Sequence, residues 1–330
     1  MKEEIIVSGR MNPNIDPVLQ VWHWEIPVYL FLGGLAAGIL FFAGYFYLQG
    51  KSNKYRSAVK FAPFLVPIAL SLGLFALFLD LTHKWYFWQL YTTIKLESPM
   101  SWGAWVLMIV TPLSILWCLT YTQELFDHWK MNYPRIYKRT RWAEKLLFRF
   151  SWVRSFISKV SEQRKPMAWI MIFMAIILGI YTGILLSAFN ARPLWNTSIL
   201  GPLFLVSGLS AGAASIMWLS KDSAERKLFS RIDLMLIGIE LFLIVHMFMG
   251  FMASTQVQID AAQMFMGGEF TLTFWVFVVF MGLVLPGIIE FLELKGFHIP
   301  VFIPAFLILF GGAMLRIIIV EAGQASRYLY

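Results

Sequence analysis

The residues that could do chemistry in this sequence are acidic and basic side chains within or beside long apolar runs. Asp80 and His83 stand three residues apart at the end of one such run. A helix that reached His83 would place both on one face, where a carboxylate and an imidazole can take up and release protons near neutral pH. We expect a catalytic proton-transfer role for Asp80 and His83; an interfacial salt bridge is the structural alternative.

A second set of ionisable residues follows later in the chain. Asp233 and Glu240 are seven residues apart, and so on one face of a helix, whereas His246 lies on another face and Arg316 on another apolar segment. A charge at the centre of a bilayer costs roughly 2.5 to 3.5 kcal/mol, so such residues are functional candidates. We expect a proton path through Asp233, Glu240, His246 and Arg316. Structurally, Arg316 needs a carboxylate or a backbone carbonyl as its partner.

The sequence predicts no metal site in this chain. It has one cysteine, Cys118, which excludes disulfides within the chain and any iron–sulfur or zinc site ligated by its cysteines alone. Any such centre must belong to a partner protein.

The elements that position these residues are predicted to be membrane-spanning helices. Hydrophobic residues make up 59% of the 330 residues and charged residues 14%, whereas soluble domains carry about 25% charged residues. A helical span needs about 20 mainly apolar residues. Eight stretches qualify, approximately at 26–49, 61–81, 102–123, 167–189, 197–219, 233–254, 271–292 and 299–320.

The distribution of basic residues predicts the orientation. Most of the 27 Lys and Arg residues lie in alternate connections, chiefly at 50–60, 124–166 and 220–232. By the positive-inside rule these connections are cytoplasmic, so both termini face the periplasmic side of the inner membrane. The same bias explains the net charge of +8 without nucleic acid as a partner.

The long connection at 124–166 carries its own pattern. Large apolar residues recur at helical spacing among Arg and Lys, at Trp142, Leu146, Phe150, Val153 and Ile157. We interpret this as an amphipathic helix on the cytoplasmic membrane surface, which anchors the topology in anionic lipid; a regulatory site is the alternative.

An internal repeat divides the spans into two halves. The sequence PVYLFLGGLAAG at 27–38 matches GPLFLVSGLSAG at 201–212, and the two helices run in the same direction. We therefore predict an all-α protein of two tandem four-helix bundles, with an N-terminal segment at 1–25, a first bundle at 26–190 and a second bundle at 191–330. Gly34 with Gly38, and Gly208 with Gly212, form GxxxG faces for close helix packing.

Aromatic residues cluster at the predicted outer boundary, including the tryptophans at 22, 24, 85, 88, 102 and 105. Most are expected to form an interfacial belt. A pocket lined by several aromatic and a few polar side chains would also suit an amphiphilic ring such as a quinone.

Five motifs together resemble one family. They are WHW at 22–24, IPVYLFLGGLAAG at 26–38, SPMSWGAW at 98–105, YTGILLS with ARPLWN at 181–196, and LFLVSGLSAGAA at 203–214. The chain resembles the NrfD-like family, the membrane subunits of polysulfide reductase and related respiratory oxidoreductases. After the fifth span only MLRIIIVEAGQ at 314–324 stands out, and the DLGRP pattern common in the family appears here as DLTHK at 80–84.

The resemblance implies a quinone, menaquinone or ubiquinone, bound near the outer face. It implies electron exchange with an extracytoplasmic, ferredoxin-like iron–sulfur subunit that serves a catalytic subunit, such as a molybdopterin enzyme. It implies no haem or iron–sulfur cluster in this chain itself. By alignment of the motifs, His23 and Tyr181 would contact the quinone; Trp102 and Arg192 are further candidates for the same site.

Two other classes of protein remain open from the residues alone. A haem b cytochrome would use His23, His83 and His246 as axial ligands, although haem ligation favours buried, facing histidines. A transporter or channel would also fit a repeat, but transporter repeats are often inverted, with helices broken at the midplane.

Overall fold

The computed structural model describes residues 22–327 and is all-helical over that range. The helices are α1 (Glu25–Leu48), α2 (Leu65–Asp80), α3 (Gln89–Thr92), α4 (Pro99–Asn132), α5 (Pro134–Leu147), α6 (Ser151–Glu162), α7 (Arg164–Ser187), α8 (Leu200–Leu219), α9 (Ser223–Met252), α10 (Gln256–Gln263), α11 (Leu285–Leu294) and α12 (Phe302–Ala325). Most of the predicted N-terminal segment, residues 1–21, lies outside the described residues.

Eight helical segments in this range are long and apolar enough to cross a membrane, as predicted. Two of them begin with wider-wound, π-helical backbone: Ser57–Phe61 leads into α2, and Thr273–Val284 leads into α11. A helix satisfies its backbone hydrogen bonds internally, and this is why apolar runs of this length become helices in lipid.

Two of the predicted spans, 102–123 and 233–254, are shorter than the helices found there. α4 has 34 residues and α9 has 30, and 34 residues extend about 51 Å at 1.5 Å per residue, well beyond a hydrocarbon core of about 30 Å. The apolar pattern marks only the part in lipid, and polar helix-forming residues continue the helix beyond it. α4 ends before Pro134, which cannot continue a helix.

The connection at 124–166 contains two amphipathic helices rather than the single helix that was predicted. α5 ends at Leu147, and Phe150 adopts an extended backbone before α6 begins at Ser151. Neither α5 nor α6 contains a buried residue, so both lie on the surface of the protein.

Within each half of the chain, four spans contact one another. In the first half, α1 contacts α2 and α7, and α4 contacts both of those helices. In the second half, α8 contacts α9 and α12, and α11 contacts both. The order of helices around each group is the same, which agrees with a duplication, and the duplication itself stays a prediction.

Close backbone contact joins the halves at α1 and α8. A Cβ atom built on Gly208 would lie 2.7 Å from the Gly34 carbonyl oxygen, and one built on Gly212 would lie 2.5 Å from the Gly38 carbonyl carbon. The prediction that the two GxxxG motifs are packing faces is confirmed, and their partners are each other.

The loops between the spans form two faces at opposite ends of the helices, which we call the terminal face and the basic face. The terminal face carries residues 22–24, 81–98, 188–199 and 253–272, where α1 begins and α12 ends. The basic face carries residues 49–56, 133–163, 220–222 and 295–301.

Candidate functional site

An apolar cleft lies between α4 and α7 near the terminal face. Its volume is about 460 Å³, and its lining includes Trp102, Val106, Ile177, Tyr181 and Ile184. Trp102 and Ile184 are each nearly half exposed, so the cleft opens on the outer surface of the helix bundle, where lipid would lie. Trp102 is fixed at its mouth because its indole nitrogen donates to the Leu96 carbonyl oxygen at 2.8 Å.

Tyr181 reaches from this cleft into the core of the first bundle. Its ring occupies the space that a side chain at Gly103 would fill, so the glycine of the SPMSWGAW motif makes room for the phenol. Only 8% of Tyr181 is exposed. On its inner side the Tyr181 hydroxyl neighbours that of Tyr29 on α1, which is 3% exposed.

Three ionisable side chains form a group one turn beyond Tyr29. Asp80, the last residue of α2, lies close to Glu25 and His23 at the start of α1. Glu25 precedes Tyr29 by four residues and so shares its helical face. One Glu25 carboxylate oxygen is buried with no hydrogen-bond partner among the described residues. Tyr181, Tyr29 and this acidic group therefore run from the cleft to the terminal face.

His83 does not pair with Asp80 on one helical face, as their spacing of three residues predicted. α2 ends at Asp80, and Leu81 adopts an extended backbone, so the helical face that Asp80 and His83 would share does not form. His83 is exposed on the terminal face. Nearby, Tyr91 is adjacent to Tyr29, and burial raises the pKa of Tyr91.

Arg192 fastens the end of α12 and does not line the cleft. Its guanidinium donates to the carbonyl oxygens of Gln324, at 3.2 Å, and of Ser326, at 2.8 Å. The Gln324 side chain in turn exchanges two hydrogen bonds with the backbone of Trp22, at 2.8 and 2.9 Å. Arg192 therefore helps to hold the segment that carries His23.

The polar core of the second bundle is separate from the cleft and lies around Arg316. This fully buried guanidinium donates to the Ser207 hydroxyl at 2.6 Å and to the carbonyl oxygens of Gly312, at 2.8 Å, and Phe204, at 3.1 Å. Glu240 on α9, which is 2% exposed, also faces Ser207 and Arg316. These contacts offset the desolvation of a charge that lipid would reject.

Asp233 extends this polar core towards the basic face. One of its carboxylate oxygens accepts from the Ser210 hydroxyl at 2.6 Å, and its side chain faces Glu290 on α11. Both Glu290 carboxylate oxygens are buried with no hydrogen-bond partner among the described residues. Glu293, one turn further along α11, lies at the basic face beside Arg226 and Lys227.

His246 is not brought together with these residues. It is exposed on the outside of α9, its ring packs on Phe242 at a centroid distance of 3.9 Å, and its Nδ1 lies 2.9 Å from the Phe242 carbonyl oxygen.

Sequence reasoning missed two residues of these sites. Tyr29 looks like one more aromatic residue in an apolar helix, and only its spacing of four from Glu25 marks it. Glu290 is a carboxylate inside a predicted span, and the rule for intramembrane ionisable residues would have found it.

The fold and its sites define a multi-pass α-helical membrane protein with ionisable side chains buried between its helices. A sequence profile described as "Polysulphide reductase, NrfD" matches residues 10–326, and the chain belongs to this family. The family makes it a membrane subunit of a respiratory oxidoreductase, which functions together with other subunits.

Named relatives match nearly full length. Protein NrfD of Escherichia coli K12 is 31% identical over 318 residues, covering 93% of this chain and 96% of the relative. The polysulfide reductase C subunit of Wolinella succinogenes is 30% identical over 319 residues, with 92% and 94% covered. The NrfD homolog of Haemophilus influenzae is 28% identical over 334 residues, with 96% of each protein covered.

Proposed function

We propose that this chain binds a quinone in the α4–α7 cleft and exchanges electrons with an iron–sulfur subunit on the terminal face. The observation that carries the proposal is that Trp102 and Tyr181 line one apolar cleft whose inner end reaches a buried line of proton-bearing groups. A quinone ring needs an apolar site with a small number of hydrogen-bond donors, and this cleft has both.

The residues present fit a menaquinone or ubiquinone headgroup. The Tyr181 hydroxyl is a donor for a quinone oxygen, Trp102 offers an aromatic face at the mouth, and the isoleucines at 177, 180 and 184 exclude water. When bound, the quinone supplies the exchange of two electrons coupled to two protons. The opening towards lipid gives a hydrophobic molecule a lateral entrance.

Protons would pass between the cleft and water through the protein's own side chains. Tyr181 and Tyr29 can donate and accept in sequence, and Glu25, Asp80 and His23 can hold a proton at the terminal face. His83 lies in the exposed segment just beyond Asp80 and would exchange protons with water. His23 thus acts at the end of this line rather than in the lining of the cleft.

The partner surface would be the terminal face. The basic residues of the opposite face support a periplasmic position for it in the inner membrane, by the positive-inside rule. Apolar side chains stand exposed there, among them Trp85 at 88%, Ile94 at 71% and Leu96 at 67%. Contiguous exposed apolar residues are typical of a protein or membrane interface. A ferredoxin-like subunit docked here would lie over the cleft and connect it to a catalytic subunit, such as a molybdopterin enzyme.

The test is quinol-dependent turnover of the intact complex carrying Tyr181→Phe, which removes only the hydroxyl. We expect turnover to fall at least about tenfold, since one hydrogen bond of about 1.4 kcal/mol corresponds to that factor. His23→Gln should also lower it. Activity from a soluble artificial electron donor should be unchanged, because that route bypasses the membrane subunit.

The matched control is Tyr45→Phe on the same protein, since Tyr45 is an exposed tyrosine at the other end of α1. Unchanged quinol kinetics in both Tyr181→Phe and His23→Gln, in complexes that assemble normally, would remove the quinone assignment.

A second candidate function is proton transfer through the second bundle. Glu290, Asp233, Glu240 and Arg316 form an almost fully buried series that leads inward from Glu293 at the basic face, with the Ser210 and Ser207 hydroxyls between them. Two carboxyl groups that face each other in an apolar core, as Asp233 and Glu290 do, can share one proton. His246 lies outside this series.

The experiment is proton movement in proteoliposomes, followed with a pH-sensitive dye during quinol turnover. Glu290→Gln should abolish proton movement while electron transfer continues. Glu321→Gln is the control, because Glu321 is exposed on α12 near the terminal face. Wild-type complex that turns over with no associated proton movement would remove this function.

A further inference from the structure

A second cleft, distinct from the quinone cleft, opens on the basic face. It has a volume of about 570 Å³ and lies where the connection after α1, the end of α4 and the start of α9 meet. Lys54, Arg56 and Lys221 stand at its mouth, and all three are exposed. We call it the basic cleft.

The cations of the basic cleft come from two distant parts of the sequence. Lys221 is held over the Tyr133 ring, with its amine 4.2 Å from the ring centroid. Among residues 22–327, Lys60 with Glu124 is the one side-chain ion pair with a nitrogen–oxygen distance within 4.0 Å. None of the three cleft cations therefore pairs with a described carboxylate at that distance.

The two acidic residues of the basic cleft are already occupied by donors of the protein itself. Glu225 is 1% exposed and accepts from the backbone nitrogens of Ser57, at 3.3 Å, and Ala58, at 3.0 Å, and from the Ser220 hydroxyl at 2.7 Å. The Asp222 side chain accepts from the Ala224 nitrogen at 3.1 Å. These hydrogen bonds hold both carboxylates away from a ligand, and three cations against two carboxylates leave the cleft with a net positive charge.

The inner wall of the basic cleft is apolar and continues along the membrane-facing side of α2. Phe61, Leu65 and Ile68 line the cleft. Beyond it Ile68, Leu72 and Phe75 are exposed at 58%, 55% and 58%, and their spacing of four and three residues puts them on one helical face. A ligand with an anionic head at the mouth could lay hydrocarbon chains along this stripe.

We propose that the basic cleft binds the phosphodiester headgroup of an anionic phospholipid, with the acyl chains along Ile68, Leu72 and Phe75. Three cations favour an anionic over a zwitterionic headgroup. The apolar wall that continues into the membrane favours a lipid over a soluble phosphate. This proposal does not depend on quinone binding, since the two clefts lie at opposite faces.

The experiment is native mass spectrometry of the purified protein with phosphatidylglycerol or phosphatidylcholine. We expect the wild-type protein to keep bound phosphatidylglycerol in the mass spectrometer and to lose phosphatidylcholine. The triple variant Lys54→Gln/Arg56→Gln/Lys221→Gln should bind it about 100-fold more weakly, given the attraction that each basic residue adds at a membrane surface. Lys138→Gln/Arg139→Gln/Arg141→Gln on exposed α5 removes the same charge from outside the cleft. It weakens only general attraction of anionic lipid to the surface, so the affinity of the tightly bound lipid should change less than about threefold.

Two further arms make the result decisive. Inorganic phosphate at millimolar concentration should not displace the lipid; displacement would show a soluble-anion site and overturn the proposal, as would equal losses in the two triple variants. If the cleft variant does not fold, hydrogen exchange of the wild type replaces it. Phosphatidylglycerol, and not phosphatidylcholine, should then slow exchange at 53–65 and 125–133, and equal exchange in both lipids would overturn the proposal.

Discussion

The ring of Tyr181 lies directly against the backbone of Gly103, in the space that a Cβ atom at residue 103 would occupy. The contact joins α7 to α4 and forms the inner end of the apolar cleft. The position of the proposed quinone ligand thus depends on the absence of a side chain on the neighbouring helix.

Gly103→Ala should therefore damage the cleft without removing any polar group. The methyl group would displace the phenol, and overpacking of this kind costs about 1 to 3 kcal/mol. We expect a higher KM for quinol and a lower melting temperature. Gly238→Ala is the control, since nothing lies within 4 Å of a Cβ at Gly238. Equal quinol kinetics in the two variants would contradict the arrangement.

Gly212→Ala should separate the two bundles at the α1–α8 crossing. Its Cβ would lie 2.5 Å from the Gly38 carbonyl carbon, and backbone cannot move aside as a flexible side chain can. We expect thermal unfolding in detergent to begin at a clearly lower temperature, while Gly250→Ala, whose Cβ would meet no atom within 4 Å, should leave it unchanged. An unaltered transition in Gly212→Ala would show that this crossing adds little stability.

Arg316 and Glu240 should behave as a compensating pair. Arg316→Leu leaves the Glu240 carboxylate buried without its cation, which costs about 3 to 5 kcal/mol. The double variant Arg316→Leu/Glu240→Leu should recover much of that loss, since neither charge remains. Melting temperatures of the two single variants and the double variant measure the coupling. Strictly additive losses would mean that the two side chains act independently.

A visible spectrum should separate the quinone proposal from a haem b cytochrome. The deepest of the histidines considered as axial ligands, His246, faces outward and packs on Phe242, and His23 and His83 are exposed on the terminal face. We expect the purified protein to lack a Soret band before and after reduction with dithionite. A band that stayed with the protein through purification would favour the cytochrome.

Hydropathy predicted the eight spans because lipid imposes strict rules on length and polarity, and the spacing of the glycines predicted the packing faces of α1 and α8. These constraints on length and polarity do not apply to segments outside the hydrocarbon core. The extra turns of α4 and α9, and the break between α5 and α6 at Phe150, depend on local backbone conformation in water, which the apolar pattern does not record.

The sequence singled out individual residues more readily than their contacts. Trp102 and Tyr181 were both expected to bind a quinone; the structure brings both to one cleft, and quinone binding by them stays a prediction. That Arg192 binds backbone carbonyls depends on how the loops of the terminal face fold over one another. That Asp80 lies close to Glu25, rather than sharing a helical face with His83, depends on where α2 ends and how it packs on α1. Helical periodicity holds no information about contacts between loops.

The hydrogen bonds between Trp22 and Gln324 join residues 302 positions apart. During synthesis the segment that carries His23 leaves the ribosome about 300 residues before its partner on α12. The terminal face therefore gains its final geometry only when the eighth span has entered the bilayer. A polypeptide truncated before α12 would lack the Gln324 side chain that holds Trp22, so its terminal face would be incomplete even with the other seven spans in place.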